Sequence, residues 1–151
     1  MSFFNKLKES FNSGRDELTK QVGRYKNRAF LEGTVAVCAR IAVSSDGVSS
    51  EEKMKMMGFL RESPELNIFD TTEVIEFFNK LVTSFNFDIE VGKGETMKYI
   101  LALKNKPEQA QLAVRVGIAV AKSDGDFDET EMANAREIIE ALGFTTSEFG
   151  L

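Results

Sequence analysis

IAVAKSDGDFDETE, residues 118–131, runs from an apolar segment through Asp-Gly into a dense cluster of acids. A shorter echo, IAVSSDGVSSEE, occupies residues 41–52. Both share one order: apolar run, Asp-Gly, one hydrophobic residue, a side chain suited to cap a helix, then glutamate. Asp46 aligns with Asp124, Gly47 with Gly125, Val48 with Phe127, Ser49 with Asp128 and Glu52 with Glu131. The second copy is longer by one residue on each side of its Asp-Gly. Each copy reads as helix, acidic turn, helix. Two such hairpins can pack about a pseudo-twofold axis with their acidic turns at the same end.

The segments leading into the turns, roughly 34–44 and 110–121, are apolar nearly all round, which marks central, enclosed helices. Val74, Phe78, Leu81, Val82 and Phe85 form a stripe at helical spacing, as do Met132, Ala135, Ile138, Ile139 and Leu142. Met56, Met57 and Leu60 form a shorter one, and the methionines of KMKMM read as core filler rather than soft-metal ligands. Ser49 with Glu52, Asp70 with Glu73 and Asp128 with Glu131 have the spacing of capping boxes. Pro64 and Pro107 fall where helices stop or start, and Gly143 suits a helix C-terminus. No strand signal stands beside these. The expectation is an all-α, single-domain bundle of about six to seven helices with a pseudo-twofold internal repeat.

Composition removes whole classes of chemistry. Without histidine there is no Ser–His or Cys–His pair and no zinc site of the usual kind. The single cysteine, Cys38, excludes an intrachain disulfide, and its apolar setting VAVCARIAV reads as a buried, inert thiol. The amino terminus lacks the apolar core of a signal peptide, and no run approaches a spanning helix, so cytoplasmic residence is expected.

Charge is unevenly spread. Residues 1–28 carry seven bases and three acids, whereas the rest carries twelve bases and twenty-one acids. A basic amphipathic N-terminal segment, 1–28, thus precedes an acidic helical domain, 29–151. That balance argues against nucleic acid as a partner. Phe3, Phe4, Leu7 and Phe11 share one helical face with Lys6 and Lys8 beside it, a pattern suited to weak contact with an anionic membrane.

Asp124, Asp126 and Asp128 have the spacing of the first three ligands of an EF-hand loop. The sixth and twelfth positions, which need glycine and glutamate, hold Glu129 and Ala135, so an EF-hand is excluded. Asp46 and Asp124 fall at the C-terminal ends of the two central helices, where unpaired carbonyls and the helix dipole disfavour a carboxylate. A bound cation reverses that sign. The oxygen-only donor set selects calcium first, with magnesium or manganese next, over copper or zinc. Calcium takes six to eight oxygens, so the two turns, or one turn with water, would have to pool their ligands. The competing readings are purely structural turns, since Asp-Gly and the caps suffice for that, and a docking patch for a basic partner. Asp126 and Glu129 exceed what capping needs.

The Asp-Gly…Glu turn of each half, the helical pattern around it and the ending EALGFTTSEF (140–149) resemble the TerB family of tellurite-resistance proteins, whose relatives include the TerB-like domain of the co-chaperone DjlA. The resemblance covers nearly the whole chain from about residue 28. It implies an all-helical pseudo-symmetric domain with a divalent-metal site in its acidic turns, and a role in tellurite and related stress resistance. It also implies an integral membrane protein of the TerC type and calcium-binding TerD-type proteins as partners. Position by position it carries over Asp46, Glu52, Asp124 and Glu131; the first turn departs from the usual spacing by one missing residue.

The metal ligands expected overall are Asp46, Glu52, Asp124, Asp126, Asp128 and Glu131. The expected function is a non-enzymatic, metal-dependent interaction or sensing module, cytoplasmic and peripheral at the inner face of the membrane. The alternative is a membrane-surface adaptor or docking protein whose acidic turns are structural. A metal-assisted hydrolase ranks below both, because no separate nucleophile or base stands out.

Overall fold

A computed structural model of the chain describes residues 27–43, 69–122 and 127–151, with Gln21, Tyr25, Gly47, Ser50, Lys53, Met54, Met57, Gly58 and Arg61. Its centre is α1, Arg28–Ala42, buried on every side from Phe30 to Ile41 except at Glu32. Asn27 caps it, the amide oxygen accepting from the Phe30 N–H at 2.8 Å. Among the described residues, the four other α-helices all pack against α1.

The stripe from Val74 to Phe85 becomes the inner face of α2, Thr71–Phe87. Asp70 caps this helix, accepting from Glu73 N–H at 3.2 Å. The box expected there is only half formed, because the Glu73 carboxylate pairs with Arg28 across to α1. A single residue, Asp88, separates α2 from α3, Ile89–Leu101, and its carboxylate accepts from both Glu90 and Val91 N–H. Extended backbone at Asp88 (φ −164°) makes the corner sharp. Gly92 lets the two helices close there, since a Cβ would lie 2.2 Å from the Phe85 ring.

Pro107 opens α4, Pro107–Lys122, its missing N–H costing nothing in a first turn. The last helix, α5, Glu129–Ala141, carries the full capping box of Asp128 and Glu131. It closes at Gly143 (φ 86°), with Gly143 N–H bonded to Glu140 C=O and Phe144 N–H to Ile139 C=O. A 3₁₀ turn, Thr146–Phe149, follows.

Among the described residues the chain is therefore all-helical, with five α-helices and no strand. Ala135, Ile138, Ile139 and Leu142 are buried as the stripe requires, with Met132 half-buried. Of the KMKMM methionines, Met57 packs on the core but Met54 is 74% exposed and fills nothing. Met56, Leu60, Pro64 and the Ser49/Glu52 pair lie outside the described residues.

Candidate functional site

Two contacts fix the mutual direction of the central helices. Asn27 at the start of α1 donates to the side-chain oxygen of Gln109 at the start of α4, 3.4 Å away. Further along, Gly117 lies so close to α1 that a Cβ there would stand 2.3 Å from Val37 Cγ1. The separation is 82 residues at the first contact and 80 at the second. The helices thus run parallel, and their last residues, Ala42 and Lys122, are also 80 apart. They end level. Helix C-terminal carbonyls from two elements, with their partial negative charge, meet at one end of the bundle.

The same end gathers the neighbouring elements. Asn134, in the second turn of α5, donates to Ile41 C=O at 3.0 Å and Val43 C=O at 2.8 Å. It caps α1 from another helix. Three residues on, Glu137 Oε2 accepts from Arg40 Nη2 at 2.6 Å, so α5 runs antiparallel to α1 and is held by two polar contacts. Gly47, at φ 86°, abuts the last turn of α2, where a Cβ would meet Asn86 Oδ1 at 2.8 Å. The Asp88 corner, which precedes α3, follows one residue after that turn.

Arg40 is unusual. Its side chain is 1% exposed inside the apolar run that reads as core, and Nε and Nη1 have no hydrogen-bond partner. Charged side chains are almost never buried unless paired. Neither this pair nor Asn134 was visible in the hydrophobic pattern. The arginine inside VAVCARIAV was a signal; the asparagine left none.

Of the six acids expected as ligands, Asp128 and Glu131 are described. Asp128 Oδ1 accepts from Glu131 N–H at 2.8 Å, and Glu131 Oε1 from Asp128 N–H at 3.2 Å. One oxygen of each is thereby employed as a cap, while Asp128 itself is exposed. Beside them Phe127 packs on the core, with the Lys122 ammonium 5.4 Å above its ring. Asp46, Glu52, Asp124 and Asp126 lie outside the described residues: Asp46 directly precedes Gly47, and Asp124 and Asp126 fall in the stretch joining Lys122 to Phe127. Among the described residues no three carboxylate or thiol groups converge.

The other end of the bundle carries a polar groove of about 330 Å³ lined by Gln21, Tyr25, Glu108, Gln111, Leu112 and Arg115. Tyr25 reaches it by donating to Glu108 Oε2 at 3.4 Å while its ring packs 5.6 Å from Phe30. Cys38 is buried on α1. No helix among the described residues is long and apolar enough to cross a membrane. The amphipathic face of Phe3, Phe4, Leu7 and Phe11 lies outside them.

Residues 31–151 match the family profile described as "Tellurite resistance protein TerB". A curated relative from an Alcaligenes species, named Tellurium resistance protein TerB, is 77% identical over 118 residues, covering 78% of this chain and 97% of the relative. No solved structure matches the chain significantly.

Proposed function

From the premise that the chain belongs to the TerB family of tellurite-resistance proteins, we propose that it is a non-enzymatic interaction or sensing module whose acidic turns bind a hard divalent cation. The observation that carries this reading is the level termination of α1 and α4, with Asn134 fastening the start of α5 to the end of α1. In the sequence, each Asp-Gly follows within four residues of one of these helix ends. Asp46, Glu52, Asp124, Asp126, Asp128 and Glu131 then supply carboxylates to one site, as the pseudo-twofold repeat suggests.

Carboxylates beside two helix C-termini repel one another and the carbonyl dipoles. A calcium ion reverses these terms and takes oxygen ligands from both turns; magnesium and manganese follow the same logic with stricter or softer geometry. Cation occupancy becomes a change in shape and charge at one end of the bundle. An integral membrane partner of the TerC type, or a TerD-type calcium-binding protein, would read that change. The protein would work in the cytoplasm, peripheral to the inner face of the membrane. Tellurite, itself an oxyanion, is a poor ligand for such a surface.

The test is a calcium titration of chelator-stripped protein followed by amide chemical shifts. Shifts confined to residues 43–53 and 122–131 support the site; shifts spread evenly, or none, reject it. Deleting residues 1–12 serves as the control for the adaptor reading. The truncated protein should keep its helicity and calcium response while sedimenting less with anionic vesicles, because each basic residue near such a surface contributes about 1 kcal/mol at most. Loss of the calcium response on truncation would show that the segment belongs to the site.

A further inference from the structure

The outer face of α3 has a composition that nothing among the described residues explains. Four large apolar side chains stand exposed among the described residues: Met54, Phe87, Val91 and Leu101. Three of them lie on or beside this one helix. Val91 and Leu101 fall on a single stripe with Gly94 and Lys98, at spacings of three and four residues. Phe87, 82% exposed, stands at the corner from which α3 starts.

Gly94 is the second anomaly. The buried helical glycines each make room for a neighbour: a Cβ would lie 2.5 Å from Leu103 at Gly33, 2.2 Å from Phe85 at Gly92 and 2.3 Å from Val37 at Gly117. At Gly94 nothing lies within 4 Å, and its φ is not positive. A glycine in mid-helix weakens the helix, and among the described residues neither backbone nor packing asks for one here. A bare backbone at the centre of an exposed apolar stripe is what close approach by a second helix requires.

The stripe is complementary to itself. On α3, Glu90 and Lys98 lie four residues either side of Gly94. Laid antiparallel across a copy of itself with the two Gly94 backbones at the crossing, α3 places Glu90 against Lys98 twice, with Val91 and Leu101 flanking the crossing. Both charged residues are well exposed, 82% for Glu90 and 67% for Lys98, and their own-helix partners, Lys93 and Glu95, stand off at 3.8 Å. Such loose pairs redirect at little cost.

We propose that α3 is a self-association surface, on which a second copy of this chain docks antiparallel about a twofold axis through Gly94. The interface is isologous, as most homodimer contacts are. Its stripe is only about 15 Å long from Val91 to Leu101. One helix face of that length is too short to bury the roughly 800 Å² per partner of a standard stable interface, so the association is weak and concentration-dependent.

Sedimentation equilibrium of the full chain at low salt, from about 10 μM to about 1 mM, tests this. Wild type should show a monomer–dimer equilibrium. Glu90→Lys should weaken it at least about tenfold, and adding Lys98→Glu in the same chain should restore it, because the swapped charges again face opposites across the axis. Gly94→Gln should raise the thermal midpoint, by improving the helix, while weakening association at least about tenfold. Opposite signs from one substitution separate an interface from a folding defect. A wild type that stays monomeric throughout, or a charge swap that fails to restore association in folded protein, overturns the proposal.

Discussion

Calcium should raise the melting temperature of the wild-type protein and leave that of the Asp124→Asn/Glu131→Gln double variant unchanged. At a free cation concentration about a hundredfold above the dissociation constant, mass action adds about 2.7 kcal/mol to the folded state. For a chain of this length that is a rise of about 5–10 °C. The substitutions are chosen so that the fold survives them. Asp128 keeps its bond to Glu131 N–H, and glutamine at the third helical position still reaches back to the Asp128 N–H. Circular dichroism of the two proteins without calcium should therefore agree. A calcium-dependent rise of equal size in the double variant would remove these two acids from the site.

The second large effect concerns the contact that holds α5 to α1. Glu137→Ala leaves the buried Arg40 guanidinium with no acceptor among the described residues, since Nε and Nη1 already lack one and Nη2 has Glu137 alone. Breaking a buried pair from one side costs about 3–5 kcal/mol. Glu137 is 56% exposed, so water reaches part of the site and a loss discounted below that range, about 2–3 kcal/mol, is expected. The midpoint should fall by about 5–10 °C. Adding Arg40→Met should recover most of the loss, because an apolar side chain of similar length belongs in that run and the orphaned charge is gone. Denaturant unfolding of both variants decides it. A mild Glu137→Ala, or no recovery in the double variant, would mean that the guanidinium finds solvent.

Residues 40, 134 and 137 also show where sequence reading stops. Hydrophobic periodicity marks which face of a helix is buried, so α1, α4 and the inner faces of α2 and α5 are legible in the sequence. Local chemistry was legible too, in the caps at Asp70 and Asp128 and in Gly143. What periodicity lacks is any term for one helix meeting another. Asn134 bonds to carbonyls more than ninety residues away, and a lone polar residue on a helix carries no mark of such a partner. The competition at Glu73 failed for the same reason: the spacing favours a reciprocal box with Asp70, yet Arg28, on a separate helix, offers a charge-assisted partner. Of the expected ligands, Asp128 and Glu131 stand as a capping box, a role their spacing already announced. The level ends of α1 and α4 follow from packing about Gly117, which no local pattern encodes.

The central claim is that two turns, far apart in sequence, share one cation. Isothermal titration of calcium into the chelator-stripped wild type, Asp46→Asn and Asp124→Asn tests it most directly. One ion per chain is expected for the wild type, with affinity falling by a similar factor, at least about tenfold, in both single variants. Two independent ions per chain, an Asp46→Asn variant that binds like wild type, or no calcium-specific heat at all would contradict it.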